Sequence, residues 1–175
     1  MWPLGISVRM RWPSSISAMP ASAAERLPAV AEMGFDGFGI GGALEKENLG
    51  TIVGWVTDEL PEDRPRHLLG ISEVDDLFTA VAAGADTFDC VSPSRVARNS
   101  AVYTRKGRVN LTGARYRRQF APIDETCDCY TCTHYTAAYV HHLFRAKEML
   151  SSTLCTIHNE RFVVRLVDRT RASLQ

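Results

Sequence analysis

The sequence predicts an α/β protein built on parallel strands, and three observations carry that prediction. Short apolar runs alternate with amphipathic stretches of helical period over residues 23–100, the pattern of strands joined by crossover helices. The amphipathic stretches stop at Gly34, Pro61 and Gly84, residues that end helices. The chain has 175 residues, enough for one domain with a real core.

Residues 1–22 carry three prolines, several serines and no hydrophobic period. They read as a disordered or non-native lead-in. Leu27, Val30 and Ala31 then fall at helical spacing within residues 23–33, and Gly34 ends that helix. Residues 35–40 form an apolar strand running into Gly41-Gly42. Residues 49–60 form an amphipathic helix closed by Pro61. Residues 67–71 are a short apolar strand. Ser72 is the expected N-cap of a third helix over residues 73–83. Residues 87–91 are a third strand, and Pro93 ends its ladder. Three βα units cannot close a sheet, because a (β/α)8 barrel needs eight strands. Periodicity leaves open a small open sheet and the tail end of a larger barrel.

Beyond residue 100 the pattern changes. Residues 102–104 and 108–111 flank Arg105-Lys106-Gly107, a hairpin with glycine in its turn. Residues 114–120 alternate and are basic, which predicts another strand. Residues 133–150 are helical by period, with Tyr139, Leu143, Ala146 and Leu150 on one face. Residues 151–174 form a last helix, apolar at Leu154, Ile157, Phe162, Val163 and Leu166. The chain therefore divides into a lead-in (1–22), three βα units (23–100) and a hairpin, cysteine-rich and helical region (101–175).

Lys and Arg together number 20, equal to Asp and Glu, so net charge gives no global sign of a polyanion partner. Its distribution says more. Arg95, Arg98, Arg105, Lys106, Arg108, Arg115, Arg117 and Arg118 occupy a 24-residue window that contains no acid. Such a block is either a solvated face or a surface that tracks phosphates. No run is long and apolar enough to span a membrane. Arg9 and Arg11 are not followed by a continuous apolar stretch, which makes a poor signal peptide. The expected location is the cytoplasm.

Two constellations carry chemistry. In Phe88-Asp89-Cys90-Val91-Ser92-Pro93-Ser94-Arg95 an acid sits near the C-terminal end of a strand, with Arg95 and Arg98 following. A carboxylate there, beside cations, suits chemistry on a phosphate-bearing substrate. The second is Cys127-x-Cys129-x2-Cys132. Three thiols so close together point to metal rather than to disulfides, and four S/N ligands point to a closed, structural zinc site. The fourth ligand is His158 or one of the His141-His142 pair, with His134 a further candidate close to the loop. Cys90 and Cys155 read as small core residues.

Residues 88–99, the Cys127/Cys129/Cys132 loop, Tyr139-Val140-His141-His142-Leu143, Thr156-Ile157-His158-Asn159 and the run from Gly34 to Gly42 together resemble the C-terminal half of bacterial tRNA-guanine transglycosylases (queuine tRNA-ribosyltransferases). The resemblance covers about residues 23–174. It implies that the strands are the last three of a (β/α)8 TIM barrel carrying a zinc-binding subdomain and C-terminal helices. It implies exchange of a guanine in tRNA for a 7-deazaguanine base, in queuosine-type tRNA modification. By the same resemblance Asp89 is the nucleophile, Gly41 and Gly42 bind the base, and Cys127, Cys129, Cys132 and His158 hold one Zn2+. Two segments would contact tRNA: Gly70, Ile71, Ser72, Glu73, Val74, Asp75 and Asp76, and then Ser94, Arg95, Val96, Ala97 and Arg98. Two departures stand out. Ser94 replaces the family's usual threonine, and Ala43-Leu44-Glu45-Lys46-Glu47 differs from its usual loop. The family's first five strands and its general acid/base aspartate have no counterpart here. The implied partner is therefore a separate N-terminal half or a second copy of the chain. The alternative expectation is a catalytically inactive, zinc-stabilised fragment or accessory subunit that binds tRNA or a partner half-barrel.

Overall fold

The computed structural model describes residues 27–41, 46–71 and 73–174. The lead-in, Gly42 and Ser72 lie outside the described residues, as does the start of the first expected helix. The chain resolves into two compact units, one ending at Cys90 and one beginning at Val91.

The first unit holds helix α1 (Leu27–Ala31), strand β1 (Phe38–Ile40), helix α2 (Leu49–Asp58), strand β2 (Arg66–Leu68), helix α3 (Val74–Ala82) and strand β3 (Thr87–Phe88). A short 3-10 turn, Lys46–Asn48, leads into α2. The strands form one parallel sheet in the order β1-β2-β3, with Phe38 opposite Arg66 and His67 opposite Thr87. Strand alternation divides the sheet into two faces. Phe38, Ile40 and Leu68 are buried, and Arg66 shares their face. Gly39, His67 and Thr87 are on the other. Leu49, Ile52, Val53 and Val56 are buried; their spacing puts them on one side of α2, as an apolar stripe of helical period must.

The Thr57 hydroxyl donates to the carbonyl of Ala83 at 2.7 Å, tying α2 to the end of α3. Sequence places the N-cap of α3 at Ser72. The structure places it at Glu73, whose backbone N–H donates to the Asp76 carboxylate at 3.1 Å. Asp76 is buried, and Lys46 lies 3.4 Å from its other oxygen.

The second unit opens with α4 (Ser92–Arg98), with Pro93 in its first turn, where the missing N–H costs nothing. Strands β4 (Ala101–Thr104) and β5 (Gly107–Asn110) pair antiparallel. Gly107, at φ +100°, supplies the left-handed residue of the turn. Helices α5 (Tyr130–His134), α6 (Ala137–Arg145) and α7 (Leu150–Leu174) complete it. Its core joins Ala97, Val102, Leu111 and Tyr116 to Ala137, Val140, Leu143, Leu154 and Cys155.

Three expectations are corrected here. Residues 114–118 form a 3-10 helix rather than a strand. Tyr116 turns into the core, and its N–H bonds back to the carbonyl of Gly113 at 3.0 Å. The single helix over residues 133–150 is instead two helices and a turn. Tyr135 is extended, and Thr136 caps α6 by accepting the N–H of Tyr139 at 3.2 Å. Lys147, at φ +60°, separates α6 from α7. The buried face of α6 is Ala137, Ala138, Val140, His141 and Leu143, while Tyr139 is exposed.

Candidate functional site

Asp89 follows directly on β3. The parallel register sets His67 beside Thr87, and a side chain two residues further along a strand points the same way. Thr87, His67 and Asp89 therefore share one face. Asp89 Oδ1 accepts the backbone N–H of Gly70 at 3.1 Å. The Asp89 carbonyl accepts the N–H of Ile71 at 3.2 Å. Gly70 has φ +72°, and that left-handed turn aims its N–H at the carboxylate. The Asp89 side chain is about half exposed, at 51%. It is a held carboxylate that a solvent-borne substrate can reach. Cys90 is partly buried and donates to the Ile71 carbonyl at 3.0 Å.

Gly41 is buried at the end of β1. A Cβ there would lie 2.7 Å from Leu69 Cδ1 and 3.2 Å from Leu69 Cβ, so packing alone already favours glycine at this position. In the stretch from Gly70 to Asp76, Gly70 and Ile71 leave β2, Glu73 caps α3, and Val74, Asp75 and Asp76 form its first turn. In the second unit, Ser94, Arg95, Val96, Ala97 and Arg98 all lie on α4. There Arg95 and Arg98 are exposed, and Ala97 is fully buried.

The structure gathers Cys127, Cys129, Cys132 and His158, whose ligand atoms all lie within 4.8 Å of one another. Cys129 sits at the N-cap of α5, and its sulfur accepts the N–H of Cys132 at 3.3 Å. His158 comes from the buried side of α7. Its Nε2 is 2.8 Å from the carbonyl oxygen of Tyr103. A carbonyl only accepts, so Nε2 carries the proton and the lone pair of Nδ1 faces the thiols. Nδ1 is 3.3 Å from Cys132 Sγ and 3.6 Å from Cys129 Sγ. A histidine whose second nitrogen is tied to a carbonyl is the arrangement of a metal ligand held by its outer shell.

The thiols are unlike one another. Hydrogen bonds from Cys132 and then His158, against the opposing effect of burial, hold the Cys129 thiol below the usual thiol range. The hydrogen bond to Cys129, and burial, push Cys132 strongly up; burial raises Cys127. Three thiolates this close repel, and a dication relieves that repulsion.

The loop is clamped to α7 from outside. Arg161 Nε donates to Asp128 Oδ1 at 2.8 Å, and Arg165 donates to the Thr126 carbonyl at 2.9 Å. The Arg161 hydrogen bond holds the Asp128 carboxyl down to about 2.

The other histidines do not join this cluster. His134 Nδ1 faces the Tyr130 carbonyl and the Thr133 hydroxyl, and its ring stacks on Tyr130. His141 is bonded to the Leu111 carbonyl at 2.8 Å, and His142 is exposed. Cys155 is fully buried in the core.

Sequence reasoning singled out neither His67 nor the role of Asn159. Asn159 is fully buried. It accepts the N–H of Tyr103 and donates to the carbonyls of Pro93 and Ala101, each at 3.0 Å. The only signal for it was its place one residue after His158.

Residues 18–175 match the protein family described as queuine tRNA-ribosyltransferase, TGT. A relative of that name from Thermoanaerobacter pseudethanolicus is 46% identical over 147 residues, covering 82% of this chain and 39% of the relative. One from Thiobacillus denitrificans is 46% identical over 145 residues, covering 81% and 40%. One from Lactococcus lactis subsp. lactis is 43% identical over 145 residues, covering 81% and 38%. The chain thus spans about two fifths of the length of the curated relatives it matches.

Proposed function

This chain belongs to the queuine tRNA-ribosyltransferase family, and we propose that it is the nucleophile-bearing and metal-binding portion of a tRNA-guanine transglycosylase. The observation that carries the reading is Asp89 at the end of a parallel strand, half exposed, with one oxygen held by the N–H of Gly70. In the proposed reaction a lone pair of the Asp89 carboxylate forms a bond to C1′ of a tRNA ribose. The C1′–N9 bond breaks, and its electron pair leaves with guanine, which takes up a proton. The incoming 7-deazaguanine base, losing its N9 proton, then displaces the carboxylate. A carboxylate acting twice at an anomeric carbon is the logic of retaining glycosidases. The target base leaves its stack to be reached.

In this reading β1, β2 and β3 are three of the eight strands of a barrel. The rest, with the general acid, comes from polypeptide outside the described residues or from a partner. Gly41 and Gly42 border the base. The stretches from Gly70 to Asp76 and from Ser94 to Arg98 contact RNA, with Arg95 and Arg98 on phosphates. No helix among the described residues is long and apolar enough to cross a membrane, and a tRNA substrate fits a cytoplasmic protein.

The four gathered ligands suit zinc, since three thiols and one imidazole fill a tetrahedron and leave no position for water. When bound, zinc supplies structure rather than catalysis. Held by Cys127, Cys129, Cys132 and His158, it would tie the loop to α7.

The test is exchange of labelled guanine into bulk tRNA. It uses the chain co-produced with the N-terminal three fifths of a matched relative, and Asp89→Ala as control. Exchange that needs Asp89 is the expected result. Soluble, zinc-loaded complex that binds tRNA without exchange would instead make this an inactive or accessory module.

A further inference from the structure

The Asp89 carboxylate is not held by Gly70 alone. His67 Nε2 lies 3.4 Å from the same oxygen, Oδ1. On its other side, His67 Nδ1 is 2.8 Å from the Thr87 hydroxyl. The sheet builds this row. His67 and Thr87 are register partners on β2 and β3, and Asp89 is two residues beyond Thr87. The opposite face shows the contrast, because there Arg66 pairs with Asp86 at 3.0 Å. Oδ1 of Asp89 thus has two neighbours, the Gly70 N–H and the imidazole, whereas Oδ2 has no hydrogen-bond partner among the described residues.

We propose that His67 is a positioning residue that, with the Gly70 N–H, occupies Oδ1 of Asp89 and leaves Oδ2 as the oxygen that attacks the ribose. This rests on the reading of Asp89 as nucleophile. An ionised carboxylate only accepts, so for the imidazole to hold it the facing nitrogen, Nε2, must be the one that carries the proton. In the neutral ring that makes Nδ1 the acceptor, and the Thr87 hydroxyl donates to it. The Thr87 hydroxyl, which can donate or accept, adapts to that tautomer and anchors the ring from its other side. The distance of 3.4 Å is long for a hydrogen bond, as polar contacts of a site often are before substrate excludes water. Fixing one oxygen matters because a carboxylate that rotates about its Cβ–Cγ bond presents its attacking lone pair at C1′ only part of the time. A misplacement of about 1 Å at a reacting atom costs on the order of 100-fold in rate.

Two measurements test the proposal. The first is nitrogen-15 NMR of the His67 ring in the full chain, which does not depend on activity. The expected result is the Nε2–H tautomer, with ring shifts that change in Asp89→Asn and in Thr87→Val. An Nδ1–H tautomer, or shifts indifferent to Asp89, overturns it. The second is the rate of the covalent RNA adduct in the complex used for guanine exchange. His67→Phe is expected to slow adduct formation about 100-fold while tRNA affinity stays within about twofold of wild type. His67→Gln, which can place an amide N–H near the Nε2 position, is expected to recover most of the rate. Wild-type rates in His67→Phe, or equal losses of rate and affinity in both variants, overturn it. If the wild type itself forms no adduct that depends on Asp89, the functional reading has failed, and the tautomer decides the pairing separately.

Discussion

The ring of His158 is oriented by Tyr103: Nε2 meets the Tyr103 carbonyl at 2.8 Å across 55 residues of sequence. The hairpin strand β4 thereby fixes which nitrogen of a helix residue faces the three thiols. A site built this way couples metal to fold, because structural zinc in such sites contributes about 10–16 kcal/mol of folding energy. The purified chain should hold about one zinc. His158→Ala and Cys129→Ala should each lose most of it, and the helical signal of residues 130–174 should fall with it. Elemental analysis and circular dichroism before and after chelation check this. Full helicity in metal-free protein would contradict it.

The same unit shows what could and could not be read from the sequence. The cysteine spacing was legible because three thiols in six residues have few other uses. The fourth ligand was not legible from the residues, since His134, His141, His142 and His158 all lay within reach of the pattern. The family resemblance points to His158, and geometry separates the four: His134, His141 and His158 through the carbonyls of Tyr130, Leu111 and Tyr103, and His142 by its exposure. The βα alternation was legible because the first two short runs, over residues 35–40 and 67–71, are each followed by a stretch of clear helical period. The break between α5 and α6 was missed although Thr136 is a good N-cap, because the apolar period of residues 133–150 ran through it. Period also put Tyr139 on one face with Leu143, Ala146 and Leu150. The structure buries the smaller Ala137, Ala138 and Val140 instead. His67 carried no signal, since its neighbours Thr87 and Asp89 come to it only through parallel pairing of distant strands.

Asn159 is another buried link of α7 to the hairpin. Replacing it by Leu keeps the branched shape, adds some volume and removes three hydrogen bonds. The Tyr103 N–H and the carbonyls of Pro93 and Ala101 would then lose a partner in the core. Each buried group left unsatisfied costs about 1–3 kcal/mol. Asn159→Leu should therefore destabilise the protein by roughly 3 kcal/mol or more, seen as a lower urea midpoint. Zinc should still bind at low denaturant, because the ligands are untouched. An unchanged midpoint would show that water replaces the side chain.

Arg95 and Arg98 are exposed on α4. If they bind phosphates, removing each should lower tRNA affinity without changing which tRNA is preferred. The slope of log affinity against log salt should shrink by about 0.7–0.9 for every phosphate no longer neutralised. Titrations of Arg95→Ala, Arg98→Ala and the double variant at several salt concentrations measure this. Affinity that falls with no change in slope would assign these arginines to something other than phosphate.

Gly70 joins backbone conformation to the carboxylate. At φ +72° an alanine is strained, although a Cβ there meets nothing within 4 Å. The cost of Gly70→Ala is therefore one of backbone rather than packing, about 1–2 kcal/mol. Asparagine tolerates the left-handed region better, so Gly70→Asn should cost less than Gly70→Ala. If alanine instead relaxes the turn, the Gly70 N–H swings away from Asp89 Oδ1, and adduct formation falls while stability recovers. Urea midpoints and adduct rates measured on both variants separate these outcomes. A midpoint and a rate both at wild-type values in Gly70→Ala would mean that the turn reorganises without consequence and that the Gly70 N–H does not hold the nucleophile.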